Sequence, residues 1–130
     1  MIAGHVSAKR EPQVELWVYD MVGTPHPFTV AIDTRFTAQL TLPAADIAAL
    51  KLHKKGVGTA TLADGSKSTF DVFYGLIDWH GGPLAVAVES VECEPLVGMK
   101  LLADSELFVA CQPGAAVEIT RTLPPPAPAP

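Results

Sequence analysis

Val30-Ala31-Ile32-Asp33-Thr34-Arg35-Phe36-Thr37-Ala38-Gln39-Leu40-Thr41-Leu42-Pro43 is the stretch on which the fold turns. Its opening residues complete a compact β-favourable run, Phe28 to Ile32, that reads as a buried strand ending at Asp33-Thr34. Leu40-Thr41-Leu42 reads as a second, short extended piece. Pro43 then opens a helix, because proline suits the first helical position, where its missing N–H costs nothing. Ala44 to Leu50 continues that helix, with Ile47 and Leu50 one turn apart on an apolar face. An aspartate at a strand end has an ordinary role, capping a turn with its carboxylate. Whether Asp33 has another depends on the rest of the chain.

Outward from this stretch the pattern is β almost throughout. Val14, Leu16 and Val18 alternate with more polar neighbours, the period of a half-buried strand. Gly23-Thr24-Pro25-His26-Pro27 is a turn signal. Gly56 and Gly58 are expected to end the helical region, and Thr59 to Leu62 to form a strand. Ala63-Asp64-Gly65-Ser66 is a hairpin tip, for which Asp-Gly favours a type I′ turn, and Thr69 to Ile77 returns from it. A second hairpin is expected at Asp78–Pro83, followed by Leu84 to Val91 with Leu84, Val86 and Val88 on one face. Glu106 to Cys111 and Ala116 to Thr122 close the pattern around a Pro113-Gly114 turn. The total is roughly ten short strands and one short helix, an all-β arrangement. Residues 1–12 are expected to be a loose arm or edge segment, residues 13–123 the domain, and residues 124–130 an extended proline-rich tail.

Three segments in register then carry a resemblance. The stretch from Asp33 to Pro43 resembles the Asp-Thr-Gly-Phe-Thr-Gly-x-Leu-x-Leu-Pro segment of bacterial retropepsin-like aspartic proteases. Leu62-Ala63-Asp64-Gly65-Ser66 stands where those proteins carry a flap hairpin. Leu96-Val97-Gly98 stands at their hydrophobic-hydrophobic-Gly element, 65 positions after the aspartate (98 − 33). The resemblance runs from about Val14 to Thr122. It implies a retropepsin-like acid-protease fold, a closed, barrel-like single lobe with one short helix. A chain that supplies one aspartate needs a second copy, so it also implies a homodimer with the site on the two-fold axis. Asp33 and Thr34 are then the catalytic pair from each copy. Arg35, Ala63, Asp64, Gly65, Val97 and Gly98 are the substrate-binding positions, and the substrate is a peptide or protein. Arg35 and Ala38 stand where the family has glycine. An arginine there places cations beside the carboxylates, which leaves a second expectation open: a catalytically impaired relative that binds extended peptides or protein partners.

Composition narrows the partners. The 130 residues hold 9 basic and 14 acidic side chains, a formal charge of −5, and the one basic cluster, Lys51–Lys55, reads as a solvated helix end. Nucleic acid is therefore not an expected partner. No run approaches the length of a membrane span, and the N-terminus lacks the pattern of a signal peptide, so no membrane is expected and a cytoplasmic location follows by default. Cys93 and Cys111 lack metal-site spacing and are expected to be reduced, buried thiols. His5, His26, His53 and His80 are scattered, and neither a metal nor a cofactor is expected.

Overall fold

The structure, a computed structural model, describes residues 1–122. Its ten strands are β1 (Ile2–Val6), β2 (Pro12–Tyr19), β3 (Pro25–Ile32), β4 (Leu40–Leu42), β5 (Lys54–Thr61), β6 (Lys67–Trp79), β7 (Gly82–Ser90), β8 (Leu96–Val97), β9 (Ser105–Val109) and β10 (Ala116–Arg121). One α-helix, α1 (Ala44–Leu50), and a short 3₁₀ helix, Leu101–Asp104, complete it. The fold is mostly β, as the alternating pattern implies. Among the described residues no helix is long and apolar enough to cross a membrane.

The strands pair in the order β5-β6-β7-β4-β8-β3-β2-β1-β10-β9. A further pairing, Val18 with Ile77, joins β2 back to β6. The pairings from β6 through β7, β4, β8, β3 and β2 therefore form a closed circuit. Inside it lie Leu16, Val18, Val30, Leu40, Leu42, Ile77 and Val88, each at most 2 % exposed. The period-two alternation of β2 accounts for its share of this core: Val14, Leu16 and Val18 are buried, while Glu15 and Trp17 face out. Helix α1 turns Ile47 and Leu50 into the same core and stops at Lys51, whose left-handed φ of 58° lets its N–H reach the carbonyl oxygens of Ala48 and Ile47.

Several expectations change. Residues 2–6 are no loose arm: β1 lies between β10 and β2 and buries Val6. Gly56 and Gly58 do not close the helical region but sit within β5. The tip at Ala63-Asp64-Gly65 is not type I′, since Gly65 alone takes a positive φ, 84°. Leu62 N–H bonds Ser66 O (2.7 Å) and Gly65 N–H bonds Leu62 O (2.9 Å), the three-residue loop in which a type I turn is followed by a left-handed residue. The type I′ turn occurs instead at His80-Gly81, both with positive φ (52° and 81°), between β6 and β7. Leu84 does not join Val86 and Val88 in the core but stays exposed. Cys93 and Cys111 are exposed free thiols, because each falls in the loop just past a strand. The proline-rich tail lies outside the described residues.

Candidate active site

Strand β3 ends with Val30, Ala31 and Ile32 all buried, so the following residue is where the chain first regains solvent. That residue is Asp33, half-buried, and the loop 33–39 carries the chain from β3 to β4. Strand β8 slots between the two. It runs parallel to β3 (Ala31 with Leu96, Ile32 with Val97) and antiparallel to β4 (Leu40 with Val97, Thr41 with Leu96). Thr41, the one buried polar residue among those described, accepts the Leu96 N–H on its hydroxyl at 3.0 Å. A two-residue strand is thus held on both sides.

The residues after β8 form the floor under the loop. Asp33 N–H donates to Val97 O (2.9 Å) and Gly98 N–H to Gln39 O (3.0 Å). Met99 N–H donates to Phe36 O (2.8 Å) and Lys100 N–H to Ala38 O (3.2 Å). Gly98 is buried, and a Cβ there would lie 2.5 Å from the backbone oxygens of both Phe36 and Ala38. Only glycine permits this close approach. The structure therefore brings together two of the three sequence segments, Asp33–Gln39 and Val97-Gly98.

Within the loop, Asp33 Oδ1 accepts the Arg35 N–H at 2.9 Å, and Phe36 N–H closes the turn onto Asp33 O at 3.1 Å. One carboxylate oxygen thus stabilises the turn that presents it. Thr34 is exposed, and among the described residues its hydroxyl makes no hydrogen bond. Arg35 is also exposed, and its guanidinium forms no ion pair with a described carboxylate. Its φ is not in the left-handed region, so the backbone at this position does not demand glycine. The third segment stands apart. Ala63, Asp64 and Gly65 are exposed at the end of the long β5–β6 hairpin, and no hydrogen bond joins them to the loop 33–39 among the described residues. Asp64 serves its own turn, where the hydroxyl and N–H of Ser66 hold its carboxyl below the usual carboxylate range.

A second polar cluster was not legible as a unit in the sequence. Asp104 Oδ1 accepts the Trp79 indole N–H (3.3 Å) and the Ser105 hydroxyl (2.7 Å), while its Oδ2 pairs with Arg121 (3.2 Å). His80 Nε2 lies 2.8 Å from Ser105 Oγ. Because Ser105 has a single proton and gives it to Asp104, the His80 Nε2–H is the donor to Ser105, which leaves Nδ1 bare. That Nδ1 is buried and has no partner among the described residues. The arrangement differs from an activated serine, whose proton would go to the histidine. Burial pulls the Asp104 carboxyl upward, but the bonds from Ser105 and Trp79 and the Arg121 charge together hold it below its usual value. The cluster ties the β6–β7 turn to β9 and β10. The sequence carried no signal for it, because Trp79-His80 and Asp104-Ser105 lie 25 positions apart and meet only through the fold.

No family model, curated protein or solved structure matches the chain.

Proposed function

We propose that this chain is the single-lobed, barrel-like subunit of a retropepsin-like aspartic peptidase that works as a homodimer, with Asp33 of each copy facing the other across a two-fold axis. The observation that carries the proposal is the seating of Val97-Gly98 under the Asp33–Gln39 loop, which holds a half-buried aspartate at the open end of a buried strand. Two carboxylates brought that close share one proton, since both cannot ionise at short range. The ionised one takes a proton from water, and the protonated one donates a hydrogen bond to the scissile carbonyl. In this reading Thr34 steadies the pair, the tip Ala63-Asp64-Gly65 folds over an extended peptide or protein substrate, and no cofactor takes part.

Arg35 modulates that chemistry. Its side chain is exposed, so a two-fold pair brings two guanidinium groups near two carboxylates. Cations there attract the carboxylates and compete with the substrate carbonyl and water for them. A second reading, an impaired relative that binds extended peptides or protein partners, is favoured by the bond from Arg35 N–H to Asp33 Oδ1, which engages the carboxylate in its own turn.

A peptide-library cleavage assay between about pH 4 and pH 8 tests the proposal. Cleavage by the native chain that is abolished in Asp33→Asn supports the peptidase. Arg35→Gly is expected to raise kcat/KM at neutral pH, read against the native chain in the same assay. No cleavage by either the native chain or Arg35→Gly, together with a monomeric sedimentation mass, would remove the composite site.

A further inference from the structure

Thr122, the last described residue, is pinned to the carbonyl of Asp104 by its N–H (2.8 Å) and its hydroxyl (3.0 Å). Asp104 also holds the indole of Trp79, and His80 follows directly. Thr122 therefore lies beside the β6–β7 turn.

A cleft of about 470 Å³ opens at this point. It is a fork between two strands. Strands β1 and β2 pair only from Gly4–Val14 to Val6–Pro12 and then part, β10 keeping Ile2 and Ala3 while β6 meets Val18. Met1, Ile2, Trp17 and His80 line the fork, together with the acidic residues Glu15 and Asp78. Trp17, in the middle of a strand, remains 40 % exposed.

We propose that this fork is a docking site for a proline-rich extended segment, and that its occupant is Leu123–Pro130 of the same chain. The proposal does not depend on the role of Asp33. The segment reads Leu-Pro-Pro-Pro-Ala-Pro-Ala-Pro. Proline fixes φ and carries no N–H, so such a run favours the polyproline II helix, needs no ladder partner and loses little entropy on binding. Flat aromatic faces are the surfaces that accept pyrrolidine rings, and Trp17 supplies one. The segment has no charged side chain to desolvate, whereas acidic partners are disfavoured by Glu15 and Asp78. At about 3.1 Å per residue its eight residues reach about 25 Å, enough to enter a cleft that begins beside their point of departure. Tethering makes the docking step intramolecular, so modest contacts suffice.

The test uses the full chain and acrylamide quenching of tryptophan fluorescence. Trp79 is buried (2 % exposed), so the quenchable signal belongs to Trp17. Replacing Pro125, Pro126 and Pro128 by glycine keeps the length and leaves residues 1–122 unchanged in sequence. This variant is expected to raise the quenching constant about twofold as the Trp17 ring is uncovered. Adding the synthetic peptide Leu123–Pro130 to the variant is expected to lower the constant again, saturably, and Trp17→Phe to abolish both changes. Equal constants for the native chain and the variant would overturn the proposal. So would shielding that disappears on dilution, which would assign the fork to the tail of a second copy.

Discussion

A methyl group on Gly98 would press on two backbone oxygens, those of Phe36 and Ala38, and neither can swing aside as a side chain could. Relief requires moving the loop 33–39 away from β8, which stretches the bonds from Met99 to Phe36 and from Lys100 to Ala38. Gly98→Ala is therefore expected to destabilise the chain by ~1–3 kcal/mol, read as a lower denaturant midpoint at unchanged slope. Arg35 is the contrast. Its backbone lies outside the left-handed region, so a glycine there relieves no strain and costs only the added freedom of the unfolded chain. Any large effect of Arg35→Gly should thus appear in rate rather than in stability. The seat of Asp33 was legible because a buried apolar run must surface somewhere, and a polar strand end marks the place. The exposed course of the Arg35 side chain, without an ion pair among the described residues, was not, since a long side chain on an exposed loop is set by neighbours that no local pattern names.

The two hairpins show the same division for whole elements. Asp64-Gly65 is the stronger turn signal, yet the type I′ geometry belongs to His80-Gly81. Strand pairing decides this. Eight successive pairs from Val72–Glu89 to Trp79–Gly82 leave two residues for the β6–β7 turn, so His80 must adopt a left-handed conformation. It is held there by Ser105 and by an edge-on contact with the Trp79 ring at 5.1 Å. Gly81→Ala places a side chain at a φ of 81° and is expected to cost ~1–2 kcal/mol. Gly82→Ala, where φ is ordinary and no atom lies within 4 Å of the new Cβ, is the control and should leave the thermal midpoint unlowered. Strand β2, helix α1 and both hairpins were readable because their periodicity or turn chemistry is local. Strand β1 was not. Ile2-Ala3-Gly4-His5-Val6 has little apolar alternation, and its partners in β10 lie at the other end of the described chain. The exposure of Cys93 and Cys111 escaped for a related reason: apolar neighbours in sequence do not reveal where a strand stops.

For the molecule as a whole, His80 sets a limit in acid. Its surroundings combine burial, which lowers its pKa, with Asp104, which raises it, and with Arg121 and the N-terminal amine, which lower it again; the balance is downward from 6.5. A depressed folded pKa contributes stability that is present above 6.5 and lost as pH falls through the folded value. Asp104 follows the same sign at lower pH, below its ordinary 3.8. Glu94, raised above 4.5 by its hydrogen bond with Glu11, has the opposite sign and favours the folded state in acid. The contribution expected from His80 is a melting temperature that declines as pH falls below 6.5, with the decline reduced in His80→Gln. Circular dichroism melts across that range check it, and they also bound the acid end of any cleavage assay. Finally, β8 joins Ile32 to Val97 across half the length of the sequence, and the floor beneath Asp33 comes from the four residues 97–100. Those contacts close a long loop with few hydrogen bonds, so they are expected to open before the long β6–β7 ladder, a difference that amide hydrogen exchange at residues 97–100 reads. Such a local opening would unseat Asp33 while most of the sheet stays paired, so the place of the aspartate is the first thing it changes.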